Sequence, residues 1–203
     1  MRIVCVGLLG GLVIEAWGTQ TNLWFYYTAE RPPLWIIPAW PIAALATDRL
    51  VRLAIYCTSF IANKLYRPME KWAGARLPIS PLDGNHLSYG VIFGGFFALM
   101  LFFVAPTLGK SLTLMAILLC ALLILSPTDY RLATLTFLAG AGLGYFLELW
   151  GTTRECWTYY TYQTPPLFAV LAHGMASVAF WRANLILGRF YKKMKAFQQI
   201  RET

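Results

Sequence analysis

The sequence predicts an all-α protein, a polytopic membrane helical bundle of about six transmembrane helices with a parallel internal repeat. Three observations carry that reading. The 203-residue chain is 58% hydrophobic and 13% charged, with a mean hydropathy of +0.55, whereas soluble domains carry about 25% charged residues. Its apolar residues gather into six segments of roughly membrane length. Its basic residues fall almost entirely on one side of those segments.

The first segment, Ile3 to about Trp17, is short for a span unless its helix continues past Gly18 toward Trp24, which would carry Glu15 into the membrane. It ends in Glu-Ala-Trp-Gly, without a small-x-small cleavage pattern, and reads as a retained helix. In the second, Leu34 to about Ile61, Pro38 and Pro41 are expected to kink the start. Asp48, Arg49 and Arg52 interrupt its apolar run, which suits a tilted helix with snorkelling arginines. The polar stretch Lys64 to Asn85 mixes Trp72, Leu77 and Leu82 with basic residues and is expected to lie along the cytoplasmic interface. Ser88 to Ala105 and Leu108 to Leu125 then form a hairpin, followed by Leu132 to Trp150 and Pro166 to about Leu187.

With both termini inside, fourteen of the seventeen lysines and arginines are cytoplasmic, leaving Arg31, Lys110 and Arg154 outside. That bias sets orientation in short loops, and the expected location is a bacterial cytoplasmic (inner) membrane. The same topology accounts for the net charge of +8 better than nucleic acid does, because no polar surround accompanies the basic residues. Cys5, Cys57, Cys120 and Cys156 share no metal-ligand spacing and read as packing residues. There is no phosphate-loop, zinc-protease or nucleophile-elbow motif, so no metal and no organic cofactor is expected. Small residues at Ala139, Gly140, Ala141, Gly142 and Gly144 read as close helix packing. His86 receives no role.

The most informative feature is a duplication. E-A-W-G-T-Q-T-N-L-W-F-Y-Y-T-A-E-R-P-P-L from Glu15 aligns without gaps on E-L-W-G-T-T-R-E-C-W-T-Y-Y-T-Y-Q-T-P-P-L from Glu148, with eleven identities in twenty. Four crossings separate the copies, so both run in the same direction, about an axis near the membrane normal. The chain then divides as one integral domain, 1–203: first copy about 1–63, interfacial loop about 64–87, inserted hairpin about 88–126, second copy about 131–195. Each copy is a helix, an outer aromatic loop opening with Gly-Thr, and a Pro-Pro-led returning helix.

A carboxylate within a helix end of this kind is costly unless paired, hydrated or protonated. Glu15 and Glu148 are therefore candidate proton donors, with the alternative that each simply bonds the backbone and tyrosines of its own loop. The copies differ where Trp40 corresponds to His173, and a histidine there could orient Glu148 or shuttle its proton; a structural hydrogen bond is the alternative. Catalytic candidates are Glu148, Glu15 and His173. Trp17, Trp24, Tyr26, Tyr27, Trp40, Trp150, Arg154, Trp157, Tyr159 and Tyr160 are candidates for substrate contact. Aromatic faces stabilise a carbocation, although an interfacial aromatic belt would use the same residues, and Arg154 with Glu155 could form no more than an exposed ion pair.

Glu15, Gly18 and Thr21, followed by Tyr26, Tyr27 and Thr28, resemble the signature of the membrane carotenoid-biosynthesis (carotenoid hydratase) family over some thirty residues per copy. Asn22 and Trp24 stand where that family has Gly and Pro; the second copy keeps Glu148 and Gly151 but has Arg154 in place of Thr. The resemblance implies acid-catalysed chemistry on a long isoprenoid. The expectation is hydration or cyclisation of a C=C bond in an isoprenoid or polyene lipid. Two further readings stay open: an accessory subunit contacting a membrane-protein partner, and a small transporter or lipid-binding protein.

Overall fold

The computed structural model describes residues 1–61, 64 and 86–201. Within them lie helices α1 (Arg2–Thr21), α2 (Ala39–Ile61), α3 (His86–Val104), α4 (Ser111–Leu125), α5 (Tyr130–Thr153) and α6 (Leu167–Arg201), with short strands β1 (Trp24–Tyr26) and β2 (Trp157–Tyr159). Five stretches are long and apolar enough to cross a membrane: Arg2–Thr21, Leu34–Ile61, His86–Thr107, Tyr130–Thr153 and Leu167–Lys195. The expected interfacial stretch, with Trp72, Leu77 and Leu82, lies outside the described residues.

Four elements differ from the sequence expectation. Helix α1 does not stop at Trp17, because the polar Gly18-Thr19-Gln20-Thr21 stays helical, with the Thr19 and Thr21 hydroxyls bonded back to the Glu15 and Trp17 carbonyls. It continues through Gly18 to Thr21 and places Glu15 in the helix interior. The second segment breaks where a kink was expected: Leu34–Ile36 forms a separate 3-10 turn and α2 starts at Ala39. Pro41 then falls in the first turn of α2, where no amide hydrogen is needed. Helix α4 begins only at Ser111, after a 3-10 turn at Ala105–Thr107, and its 15 residues reach roughly 22 Å, short of the roughly 30 Å hydrocarbon core. The expected fourth span is thus a shorter apolar helix, which leaves five of the six. Helix α6 runs on to Arg201 as one 35-residue element, roughly 52 Å long, carrying its basic end well past a bilayer's apolar thickness.

Glycines set the closest packing. A Cβ at Gly7 would sit 2.7 Å from Pro41 Cα, and one at Gly11 2.3 Å from the Trp40 ring, so α1 can approach α2 only because both positions lack side chains. Gly140 and Gly144 do the same between α5 and α6, meeting Ser177 and His173 at 2.3 and 2.5 Å. Gly142, the glycine between them in that small-residue run, has nothing within 4 Å. The α3–α4 hairpin docks asymmetrically. Phe96 and Phe103 of α3 stack on Phe168 of α6, with ring centroids 6.0 and 4.2 Å apart. Helix α4 and the turn before it bond to α1 at one end, through Trp17 Nε1 to Thr113 Oγ1 (3.4 Å) and Lys110 Nζ to the Thr21 carbonyl (3.0 Å). At its other end, Arg182 of α6 donates to the Leu123 carbonyl at 2.7 Å.

The two outer loops pair with each other. Strands β1 and β2 run antiparallel in the register Trp24 with Tyr159, Phe25 with Thr158 and Tyr26 with Trp157. Tyr27 N–H donates to the Cys156 carbonyl (3.3 Å) and Tyr160 N–H to the Leu23 carbonyl (3.0 Å), extending the ladder. Both loops leave their helices the same way: Asn22 and Glu155 take left-handed conformations, φ 63° and 56°, and Leu23 and Cys156 N–H return to Gly18 and Gly151 carbonyls, each at 2.9 Å.

Candidate functional site

The site is assembled from two clamps, each centred on one buried carboxylate. Glu15 and Glu148 are each 4% exposed. Gly18 lies one turn beyond Glu15, and its absent side chain makes room for an indole: a Cβ there would be 1.9 Å from Trp24 Cη2. Trp24 thus lies flat on α1 and its Nε1–H reaches Glu15 Oε2 at 3.1 Å. Alternation along β1 puts Tyr26 on the same face as Trp24, and Tyr26 OH donates to Glu15 Oε2 at 2.8 Å. From the other side, Trp40 crosses Gly11 and donates Nε1–H to Glu15 Oε1 at 3.0 Å.

Around Glu148 the parts recur. A Cβ at Gly151 would be 2.0 Å from Trp157 Cη2. Trp157 Nε1–H donates to Glu148 Oε2 and Tyr159 OH to Glu148 Oε1, both at 2.9 Å. The third partner is different. His173, packed over Gly144, sets Nε2 at 2.9 Å from Glu148 Oε1. Both oxygens of Glu15 therefore face indole N–H groups, which can only donate. Glu148 shares one oxygen with an imidazole nitrogen able to give or take a proton.

The clamps touch each other. Trp40 and His173 stack, with centroids 5.5 Å apart and planes 18° from parallel. Trp24 packs on Tyr159 at 5.8 Å and Tyr26 on Trp157 at 6.0 Å, so each carboxylate's donors rest against the other's. Burial and the facing carboxylates push the Tyr26 and Tyr159 phenols well above their ordinary range. Both stay protonated and act as donors. Thr19 and Thr152 hydroxyls donate to the Glu15 and Glu148 carbonyls, both at 2.6 Å.

A single cavity of about 590 Å³ is lined by Glu15, Glu148 and His173 together with Trp17, Trp24, Tyr26, Trp40, Trp157 and Tyr159. The remaining sequence candidates lie elsewhere. Trp150 is 59% and Tyr27 72% exposed, Arg154 is also exposed, and Tyr160 OH donates to the Phe103 carbonyl at 2.6 Å. The hairpin decides this: it covers Trp17 and Tyr160 and leaves their counterparts Trp150 and Tyr27 open. Sequence reading passed over Gly11, one turn before Glu15, although Gly7 and Gly11 recur at the same spacing as Gly140 and Gly144. Among the described residues, no group of three or more His, Cys, Asp or Glu could hold a metal ion.

No protein-family model, curated protein or solved structure matches the chain.

Proposed function

We propose that the protein is a membrane-embedded enzyme that protonates a C=C bond of an isoprenoid or polyene lipid and completes a hydration or cyclisation. The observation that carries this reading is the convergence of Glu15, Glu148 and His173 on one aromatic-lined apolar cavity. The alkene π pair forms a new C–H bond with a proton delivered from the Glu148–His173 pair. The cation left on the neighbouring carbon is held against Trp and Tyr faces, each worth about 2 kcal/mol when desolvated. It is then quenched by water, which returns a proton to Glu148, or by a second double bond followed by proton loss. The overall change needs no oxidant and no cofactor. Glu15, saturated by three donors, fixes Trp24, Tyr26 and Trp40 and is the second acid of the site.

The parallel repeat belongs to the same proposal. The β1–β2 register, the recurring Gly–Glu–Gly clamps and the paired left-handed residues support two copies related by an axis through the Phe25–Thr158 pair. The five apolar spans support an integral membrane chain, and the gathering of Arg31 and Lys110 at the C-terminal end of α1, with α4 as a short return between α3 and α5, supports an inner-membrane orientation with both termini cytoplasmic. One observation favours a second reading, a lipid-binding protein without chemistry: each carboxylate already has three partners inside the protein.

Solvent isotope decides between them. Incubated with polyenes in deuterium oxide, the enzyme yields product carrying deuterium on the protonated carbon. Product without deuterium there removes the acid mechanism, and binding without any product favours the second reading.

A further inference from the structure

The cavity is longer than its acid cluster requires. Its α6 wall extends from Phe168 to Ala183, roughly 22 Å at the helical rise per residue, against roughly 30 Å for a bilayer's hydrocarbon core. Past His173 that wall is Ala176, Ala179 and Ala183 flanked by Met175 and Phe180, with Cys120 and Leu123 of α4 lining the same cavity. The hydrogen bonds joining α1 to α4 and its preceding turn lie at the acid end. Farther along, the cavity-lining Leu9 and Val13 of α1 and Leu119 of α4 are 67%, 58% and 51% exposed. The groove is therefore open sideways between those two helices.

We infer that this groove takes one linear apolar chain from the lipid through the gap between α1 and α4, apolar end against Glu148 and His173, and that Ala179 and Ala183 set the chain length accepted. What the acids do to that chain rests on the proposed function; where the chain lies does not. The acid end is capped by the β1–β2 ladder with Trp24 and Trp157, and two buried glutamates there exclude an acidic head group. The opposite end finishes at Val6, Leu123 and Ala183. Arg182, bonded to the Leu123 carbonyl, stands beside it, and Arg2 lies against Gly188, nearly two turns farther on. An acidic head is attracted to that end and repelled from the other.

The test uses the full chain in detergent and straight-chain fatty acids brominated near either the methyl or the carboxyl end. Trp17, Trp24, Trp40 and Trp157 all line the acid end, against Trp181 next to Arg182 at the other, so bromine near the methyl end is expected to quench the larger share of tryptophan emission. Equal quenching, or the reverse order, overturns the inference. Ala179→Leu is expected to weaken binding of chains long enough to pass it by roughly tenfold, leaving shorter chains unaffected; equal binding of both lengths removes Ala179 as a length-setting residue. Should Ala179→Leu fail to fold, the quenching order on the unaltered protein decides alone. Chains bound in the expected direction but never converted sink the acid chemistry and leave this inference standing. Conversion with the reverse quenching order does the opposite.

Discussion

Glu148→Gln is expected to lower conversion of a polyene substrate by about a hundredfold or more, the range for losing a positioned general acid, while the protein remains folded. The amide can keep its neighbours. Its oxygen accepts from Trp157, and its NH₂ faces Tyr159 OH and His173 Nε2, both of which can turn acceptor. Glu15→Gln behaves differently. Both Glu15 oxygens face indole N–H groups, Trp24 on one and Trp40 on the other, and an indole nitrogen cannot accept. Whichever way the amide turns, one buried N–H is left without a partner, at a cost of about 1–3 kcal/mol. Thermal unfolding in detergent should show the loss for Glu15→Gln and little change for Glu148→Gln. Full activity of Glu148→Gln would remove it from the mechanism, and an unshifted melt for Glu15→Gln would contradict the hydrogen-bond assignment.

Gly151→Ala is the second large effect. Its methyl group would lie 2.0 Å from Trp157 Cη2, inside any permitted contact, so the indole must lift off α5. The movement draws Nε1 away from Glu148 Oε2, now 2.9 Å away. Overpacking of this kind costs about 1–3 kcal/mol, and the carboxylate loses a donor at the same time. Gly18→Ala repeats the clash against Trp24 at 1.9 Å. Both variants should melt earlier and lose activity together, read by detergent melts and by conversion per folded molecule. Gly142→Ala, with nothing within 4 Å, is the matched control and should melt as the unaltered protein does. A stable, active Gly151→Ala would mean that the indole does not lie across that turn.

The residues that meet in the cavity were largely visible in the sequence, because rare residues at a constant spacing report shared geometry. Glu15, Glu148, Trp24, Trp157 and the Trp40/His173 exchange all stood out on those grounds. Other features carry no such signal. Three-residue strands have no detectable alternation, so the β1–β2 ladder is invisible until the loops are seen side by side. A glycine's role depends on what fills the space beside it: Gly142 and Gly144 look alike in the sequence, yet only Gly144 lies beneath His173. The true start of α4 was obscured because Leu108 extends the apolar run across a turn. Trp150 was misplaced for a similar reason. Its twin Trp17 lines the cavity, and only the position of α4 distinguishes the two.

That uneven cover has a consequence for how such a molecule can work. Two like acids would ordinarily offer two like workplaces, one on each flank, competing for the same lipid. With α4 bonded to α1 at one end and to α6 at the other, one flank becomes a chamber that opens sideways, and the other stays an open face. The histidine partner belongs to the acid on α5, but the wall that shelters it comes from the inserted hairpin, bonded to α1 of the other copy. Neither copy on its own has both the Glu148–His173 pair and that cover, so the cavity forms only when the whole chain is folded.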